Sequence, residues 1–358
     1  MDKERMREFI VKLPLTVVEA MSKIDGHAAE AGLVFIVDDN ESLIGCITDG
    51  DIRRWILKSG ELSAPTEQVM HKNPVYLYED ERSRAKAVML ERTITAIPIV
   101  NDYMQVTDIV VSREIYEAKN KKSLKGVPVV IMAGGKGTRL YPYTKILPKP
   151  LIPIGDTPIV ERIIDCYVEY GIDRYFMTVN YKKGMLKSYF NDLNPDYGVV
   201  FVEEGKPLGT GGSIKLIDDK FNRPLFVTNC DALIRADYAD IYNHHIKCGN
   251  DITMVSALKN ITVPYGVVNS GENGELLSME EKPTLSYFIN TGMYIINPET
   301  IDLIPDDTMF HMTHLVEKVM KQGGKVGTYP ISEDSFLDMG EFEEMKRMEQ
   351  KLNIISEK

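Results

Sequence analysis

The sequence predicts a duplicated α+β unit followed by a layered α/β domain, and three observations carry that prediction. Two stretches of the first third superimpose on one another without a gap. A short polar, basic run then separates sections of differing rhythm. Beyond it, β-rich runs alternate with helical patterns, as in a sheet covered by helices. The implied boundaries are 1–120 for the duplicated unit, 121–126 for a linker and 127–358 for the second domain. A chain of 358 residues, 44% hydrophobic and 27% charged, has enough apolar material for two such cores.

Composition narrows the functional classes. The net charge of −11 disfavours a nucleic-acid partner, which demands a basic face. The opening MDKERMREFI is charged where a signal peptide would be apolar, and no run reaches the roughly 18 apolar residues of a membrane span. A cytoplasmic protein without membrane attachment is expected. Cys46, Cys166, Cys230 and Cys248 are far apart and form no C-x-x-C pair, so buried thiols are expected and neither disulfides nor zinc.

In the first unit, GLVFIVDDNESLIGCITDGDIRR can be laid over AIPIVNDYMQVTDIVVSREI. Ile36 meets Ile99, Val37 meets Val100 and Asp51 meets Glu114, a constant offset of 63 (99 − 36). Internal duplication is the economical reading. Each copy reads as strand, turn, strand and helix, preceded by a helical segment, VVEAMSKI in one and RAKAVMLERT in the other. Residues 8 to 118 resemble the CBS domain, which occurs as tandem pairs and commonly binds adenine nucleotides. The segment from Gly45 to Asp51 matches that family's G-x-x-T-x-x-D, which implies that Thr48 and Asp51 hold the phosphate and ribose of a nucleotide. The second copy departs from it, with Asp108, Val111 and Glu114 at the three motif positions. One intact and one damaged nucleotide site are therefore expected; the alternative is that both copies only pack against each other or a partner subunit.

KNKKSLKG, residues 119–126, has the composition of a linker. After it come the strand-like runs VPVVIM, RYFMTVN, GVVFVEE, PLFVTNC and ITMVSALK. One helix is placed by its pattern: Thr157 as cap, Pro158 in the first turn, Val160, Ile163, Ile164, Tyr167 and Val168 on one face, and Gly171 as the stop. Ligands of open α/β sheets bind beyond the carboxyl ends of the strands. The glycine loop after VPVVIM, Glu204 after GVVFV and Asp231 after PLFVTNC all fall at such ends.

That loop, MAGGKGTRLYPYT, is neither of two familiar phosphate loops. Leu140 stands where the third glycine of G-x-G-x-x-G belongs, and no Gly-Lys-Ser/Thr follows at the ATPase spacing. What remains is bare backbone with Arg139 and Lys149 just beyond it, which suits a triphosphate. Arginine suits planar multidentate contact with the β- and γ-phosphates; lysine, a compact charge, suits the α-phosphate.

With KPLIPI, LGTGGS, NCDAL, YGVV, EEKP, INTGMYI and FLDMG following in order, residues 127 to 350 resemble the sugar-1-phosphate nucleotidyltransferases. The resemblance implies a Rossmann-like, GT-A-like mixed sheet and transfer of a nucleotidyl group from a nucleoside triphosphate to a sugar 1-phosphate, with release of pyrophosphate. It implies that Arg139, Lys149 and Asp231 are catalytic. Nucleotide contacts fall to Gly134, Gly135, Lys136, Gly137, Thr138, Glu204, Gly209 and Thr210, and sugar contacts to Gly266, Glu281, Lys282, Asn290 and Thr291. Asp231 and Asp338 would hold magnesium. The resemblance further implies that Glu204, five residues before Gly209, faces the base; a carboxylate only accepts, so it suits the paired donors of guanine, and GTP is the expected donor. A CBS pair ahead of this half is similar to the glucosamine-1-phosphate guanylyltransferases that feed legionaminic acid synthesis. A homo-oligomer is expected. Mannose 1-phosphate, a UTP- or dTTP-using enzyme, and a catalytically silent nucleotide sensor are the alternatives. His311 with His314, and His244 with His245 and Cys248, do not stand at a recognisable zinc-ligand spacing, and neither group is expected to bind metal.

Overall fold

The computed structural model describes residues 3–25, 31–59, 61–112 and 123–352. The chain divides into two compact units. One takes residues 1–120 with 257–289 and 330–334; the other takes 121–256, 290–329 and 335–358.

The first unit repeats one motif. In the first copy β1 (Ile10–Lys12) lies parallel to β2 (Leu33–Val37), which pairs antiparallel with β3 (Leu43–Thr48); α1 (Val17–Asp25) and α2 (Asp49–Ser59) cover them. The second copy sets β4 (Leu77–Tyr78) parallel to β5 (Ala96–Val100), itself antiparallel to β6 (Val106–Val111), with α3 (Ala85–Arg92) alongside. The duplication extends to irregularities. A register shift falls between Ile36 and Val37 in one copy and between Ile99 and Val100 in the other. The turns match as well. Asp38 Oδ1 accepts the Asn40 and Ser42 N–H groups at 2.9 Å, and Asn101 Oδ1 accepts those of Tyr103 and Gln105 at 3.0 Å. Glu41 and Met104 then take the left-handed backbone at φ 65° and 61°. Short side-chain acceptors that hold their own turn explain why Asp and Asn occupy these equivalent places. Glu114, one member of the sequence comparison, lies outside the described residues.

The second unit is built on a seven-stranded mixed sheet. With β7 (Val129–Ala133), β8 (Arg174–Val179), β9 (Gly198–Glu203), β10 (Leu225–Asn229), β12 (Ile252–Thr262), β15 (Thr284–Ile296) and β16 (Val326–Ile331), the order is β9-β8-β7-β10-β15-β12-β16. The first four are parallel, and β10 meets β15 antiparallel. The central strand β7 is buried along its whole length, as a strand covered on both faces must be. A separate pair, β11 (Ala232–Ile234) and β17 (Phe336–Asp338), is antiparallel, and β13 (Val267–Ser270) with β14 (Leu276–Glu280) forms a hairpin in the first unit.

Helix α4 runs Ile159–Val168 and buries Ile159, Val160, Ile163, Ile164 and Tyr167. Two sequence expectations need correction here. Thr157 is no cap, because Thr157 and Pro158 pair with Ile154 and Pro153 as a short antiparallel ladder and Pro158 is the residue that precedes the helix. Val168 is 41% exposed, since Ile159 begins the buried stripe one position earlier. Gly171 ends the segment at φ 79°, as expected. Helices α5 (Lys183–Leu193), α6 (Tyr238–Cys248), α7 (Met312–Lys321) and α8 (Phe342–Lys351) complete the unit. Among the described residues no helix is long and apolar enough to cross a membrane.

A buried polar network ties α6 to the sheet. The ring of His245, 1% exposed, bonds Thr253 Oγ1 through Nδ1 at 2.8 Å and Asn297 Oδ1 through Nε2 at 3.0 Å. The Asn250 amide also donates to Thr253 Oγ1, at 3.0 Å. Burial holds the imidazole below its ordinary value near 6.5, against the pull of Asn297. A depressed folded value means that the unfolded chain binds the proton first, so the contribution of His245 is complete above about pH 6.5 and is lost as pH falls below it. Thermal unfolding of the second unit in wild type and His245→Gln from pH 8 to 5 should show a steeper acid loss in the wild type. Equal slopes would remove His245 as the cause.

Candidate active site

The carboxyl ends of β7, β8, β9 and β10 share one edge of the sheet because these strands are parallel and in register. The loop leaving β7 opens there. Gly135, Lys136 and Thr138 are exposed, and a Cβ on Gly135 would meet nothing of the protein within 4 Å. Packing therefore does not demand glycine at that position, and the backbone there is open to close approach. Gly137 differs. It sits at φ 63°, and a Cβ there would fall 2.9 Å from Thr144 Cγ2 and 3.1 Å from Lys149 Cβ. Glycine at 137 is what lets the chain of Lys149 pass directly behind the loop.

Lys149 is 8% exposed, and its ammonium bonds the Asp231 carboxylate. Pro148 and Pro150 flank it in a tight turn closed by Leu151 N–H on Pro148 O at 2.9 Å, so its backbone is fixed before any ligand arrives. Asp231 follows β10, and the Met339 N–H reaches its carbonyl at 2.8 Å. The β11–β17 ladder sets Ala232 opposite Asp338, which brings together two carboxylates far apart in sequence. Asp338 is pushed up to about 6 by burial and by the charges of Asp231 and Glu344, opposed by Lys149 and Arg139. Gly340 marks where these groups converge: its missing Cβ would lie 2.7 Å from Asp338 Oδ2 and 3.2 Å from both Arg139 and Glu344. Two crowded carboxylates, one raised by the other's charge, form a donor pair suited to a hard divalent cation. No cluster of three or more His, Cys, Asp or Glu residues arranged for a metal occurs among the described residues.

Glu204 lies directly under the loop. It is 5% exposed, and a Cβ on Gly134 would fall 2.3 Å from its Oε1, so glycine at 134 makes room for this carboxylate. Its Oε2 accepts the Leu208 N–H at 3.1 Å, while Asn180 Nδ2 donates to its carbonyl at 2.8 Å. Burial pushes the Glu204 carboxyl up, against the pull of the Leu208 N–H.

The glycines of LGTGG pack on the protein's own chain. Gly209, at φ 77°, would place a Cβ 2.7 Å from Phe310 O, and Gly212 one 2.7 Å from Thr308 O. Gly211 and Gly212 N–H both donate to Phe310 O at 2.9 Å, and Met312 N–H reaches Thr210 Oγ1 at 3.1 Å. Close backbone packing accounts for this block, with Thr210 left at the rim of the cleft.

A cavity of about 300 Å³ lies beside the paired carboxylates and is lined in part by Arg139, Asp231, Asp338, Asn290, Thr291 and His311. Asn290 donates to Tyr294 Oη and accepts Gly292 N–H at 2.9 Å, and Thr291 donates to Val255 O at 2.8 Å. Gly266, Glu281 and Lys282 belong to the segment grouped with the first unit. There Glu281 Oε2 lies 3.0 Å from where a Gly266 Cβ would stand, and Lys282 takes φ 50°. Sequence reasoning missed Asn229, Tyr294, His311, Thr313 and Phe336, all of which line the cavity. Asn229 in NCDAL, Tyr294 in INTGMYI and Phe336 in FLDMG sat inside quoted blocks and could have been found; His311 and Thr313 carried no local signal. His311 N–H donates to His314 Nδ1 at 3.2 Å, a backbone cap at the start of α7.

In the CBS-like copy the Thr48 hydroxyl donates to Asp51 Oδ2 at 2.6 Å, and Asp51 is also paired with Arg54 and, at 3.2 Å, with His71. Burial would raise Asp51, but the Thr48 bonds and the charges of His71 and Arg54 hold it below the usual carboxylate range. Gly45 is required by packing, since a Cβ there would lie 2.9 Å from His71 O and Met70 Sδ.

The CBS domain profile matches residues 6–58. A UTP–glucose-1-phosphate uridylyltransferase of Synechocystis sp. is 35% identical over 196 residues, covering 49% of this chain and 50% of the relative. A mannose-1-phosphate guanyltransferase of Saccharomyces cerevisiae is 35% identical over 184 residues, covering 49% and 51%. The chain spans about half the length of the curated relatives it matches. A solved Bacillus anthracis structure in complex with a sucrose superimposes with a TM-score of 0.51 at 20% identity, covering 65% of this chain and 98% of that one, a likeness of fold alone. The nucleotidyl transferase profile matches residues 128–353, the stretch that carries the glycine loop, Lys149 and both strand-end carboxylates, and the chain belongs to that family.

Proposed function

We propose that this chain transfers a guanylyl group from GTP to a sugar 1-phosphate, releasing pyrophosphate by in-line attack of the sugar phosphate on the α-phosphorus. The observation that carries the reading is the Lys149–Asp231–Asp338 cluster beside the bare amides of the Gly134–Thr138 loop. Both reactants are anions, so repulsion dominates the barrier, and fixed cations and backbone dipoles supply most of the catalysis. The loop amides and Arg139 bind the β- and γ-phosphates. Lys149, already immobilised, faces the α-phosphate and the incoming sugar phosphate. Asp231 and Asp338 would hold Mg2+, which when bound neutralises charge on the phosphates.

Guanine is favoured by Glu204 at the base of the loop, since its carboxylate can accept the adjacent N–H donors of that base. The relatives named as mannose-1-phosphate guanyltransferases support this choice, and the uridylyltransferase relative marks its rival. For the acceptor sugar we propose glucosamine 1-phosphate, on the strength of the CBS unit preceding the catalytic one, with mannose 1-phosphate as the competitor. Residues 1–120 would act as a regulatory unit that binds an adenine nucleotide at Thr48 and Asp51, in exchange for the Arg54 and His71 contacts of Asp51.

kcat/KM measured for GTP, UTP, dTTP, CTP and ATP across several hexose 1-phosphates tests the reading. GTP should lead by on the order of tenfold to a hundredfold, and Glu204→Gln should narrow that lead. A higher value for UTP or dTTP in the wild type would refute the guanine assignment.

A further inference from the structure

We propose that His311 is a sugar-specificity residue, its Nε2–H donating to a ring hydroxyl of the acceptor sugar phosphate; this rests on the reading above and extends it to a residue outside every block of the family signature. His311 lines the cavity that also contains Asn290, Thr291, Asp231 and Asp338, so it faces the space between the metal-type carboxylates and the sugar-type strand β15. Its other nitrogen is committed. Nδ1 accepts the Thr210 N–H at 3.4 Å, with Thr210 Oγ1 at 3.5 Å. A backbone N–H can only donate, so Nδ1 carries the lone pair and the neutral ring keeps its proton on Nε2.

Nε2 has no protein hydrogen-bond partner among the described residues, which leaves its N–H as the group that His311 offers to the cavity. The ring itself is well held. Thr210, which fixes it, is pinned by the Met312 N–H at 3.1 Å, and the His314 ring packs against it with centroids 5.3 Å apart. A cavity of about 300 Å³ is of the order needed for one sugar ring. A donor fixed in orientation by its own tautomer discriminates well, because an analogue without an acceptor there leaves a polar group unpaired. The bland alternative is that His311 only props the LGTGG turn, whose Gly209 would clash with Nδ1 at 3.0 Å if it bore a Cβ.

The two roles separate kinetically. His311→Phe and His311→Gln are compared with wild type in KM for GTP and for the sugar 1-phosphate, with melting temperature as the control for folding. A sugar-reading role predicts that His311→Phe raises KM for the sugar 1-phosphate at least tenfold while KM for GTP stays within about twofold, and that the glutamine amide restores part of the loss. Calorimetry of glucosamine 1-phosphate and mannose 1-phosphate, titrated into each protein with a non-hydrolysable GTP analogue and Mg2+, reads the same contact without turnover. An inactive wild type that still binds a sugar phosphate through His311 would thus refute the reaction and spare this residue. Equal rises in both KM values, unchanged values in His311→Phe, or no sugar phosphate binding by the wild type would each overturn the proposal.

Discussion

Asp231→Asn is expected to keep the fold and lower kcat on the order of 100- to 1,000-fold. The backbone role of this residue survives the change, because its carbonyl still receives Met339 N–H. What is lost is one negative charge at the point where Lys149 and Asp338 meet. A neutral amide is a poor magnesium ligand beside polyphosphate, and it leaves the buried Lys149 ammonium without its counter-charge. Pyrophosphate release at saturating substrates, repeated across a magnesium titration, measures the effect. Near wild-type turnover with an unchanged magnesium requirement would take Asp231 out of the site.

Lys149→Met should be at least as damaging, with kcat down about 1,000-fold. Methionine keeps most of the apolar stem, so packing behind the loop is largely preserved while the charge disappears. Asp231 and Asp338 then face one another without the cation that now offsets them, and the reacting phosphates lose their nearest fixed charge. Lys149→Arg should not rescue, because a planar guanidinium needs more width than the passage behind Gly137 provides, where a single added Cβ would already lie 3.1 Å from the Lys149 chain. Turnover of the arginine variant above about a tenth of wild type would show that charge alone suffices and that the geometry of this lysine does not matter.

Local chemistry was legible in the sequence where it acts over a few residues. The offset of 63 between the two CBS-like copies reappears in matched strand irregularities and matched Asx turns, since a turn is decided by the residues within it. The strand ends on that edge of the sheet were legible for a similar reason, because apolar runs that stop at Gly134, Glu204 and Asp231 announce their own ends. Long-range pairing was not. Nothing near Asp338 says that it sits opposite Ala232, and only the β11–β17 ladder makes it a neighbour of Asp231. The start of α4 was misplaced because a two-residue ladder with Pro153 and Ile154 claimed Thr157 and Pro158 first. The glycines of LGTGG suggested ligand contact, yet most of their constraint comes from Thr308 to His311, about a hundred residues away. His311 was weighed only as a zinc ligand; its place in the cavity follows from that same packing.

The most direct test of the account uses GTP labelled in turn at the α- and the γ-phosphorus, with glucosamine 1-phosphate, Mg2+ and the full chain. Nucleotidyl transfer at the Lys149–Asp231–Asp338 cluster predicts that the α-label enters a nucleotide sugar while the γ-label leaves as pyrophosphate, and that Asp231→Asn slows both by the same factor. Transfer of the γ-label to the sugar phosphate, or release of the γ-label as inorganic phosphate with no nucleotide sugar formed, would contradict it.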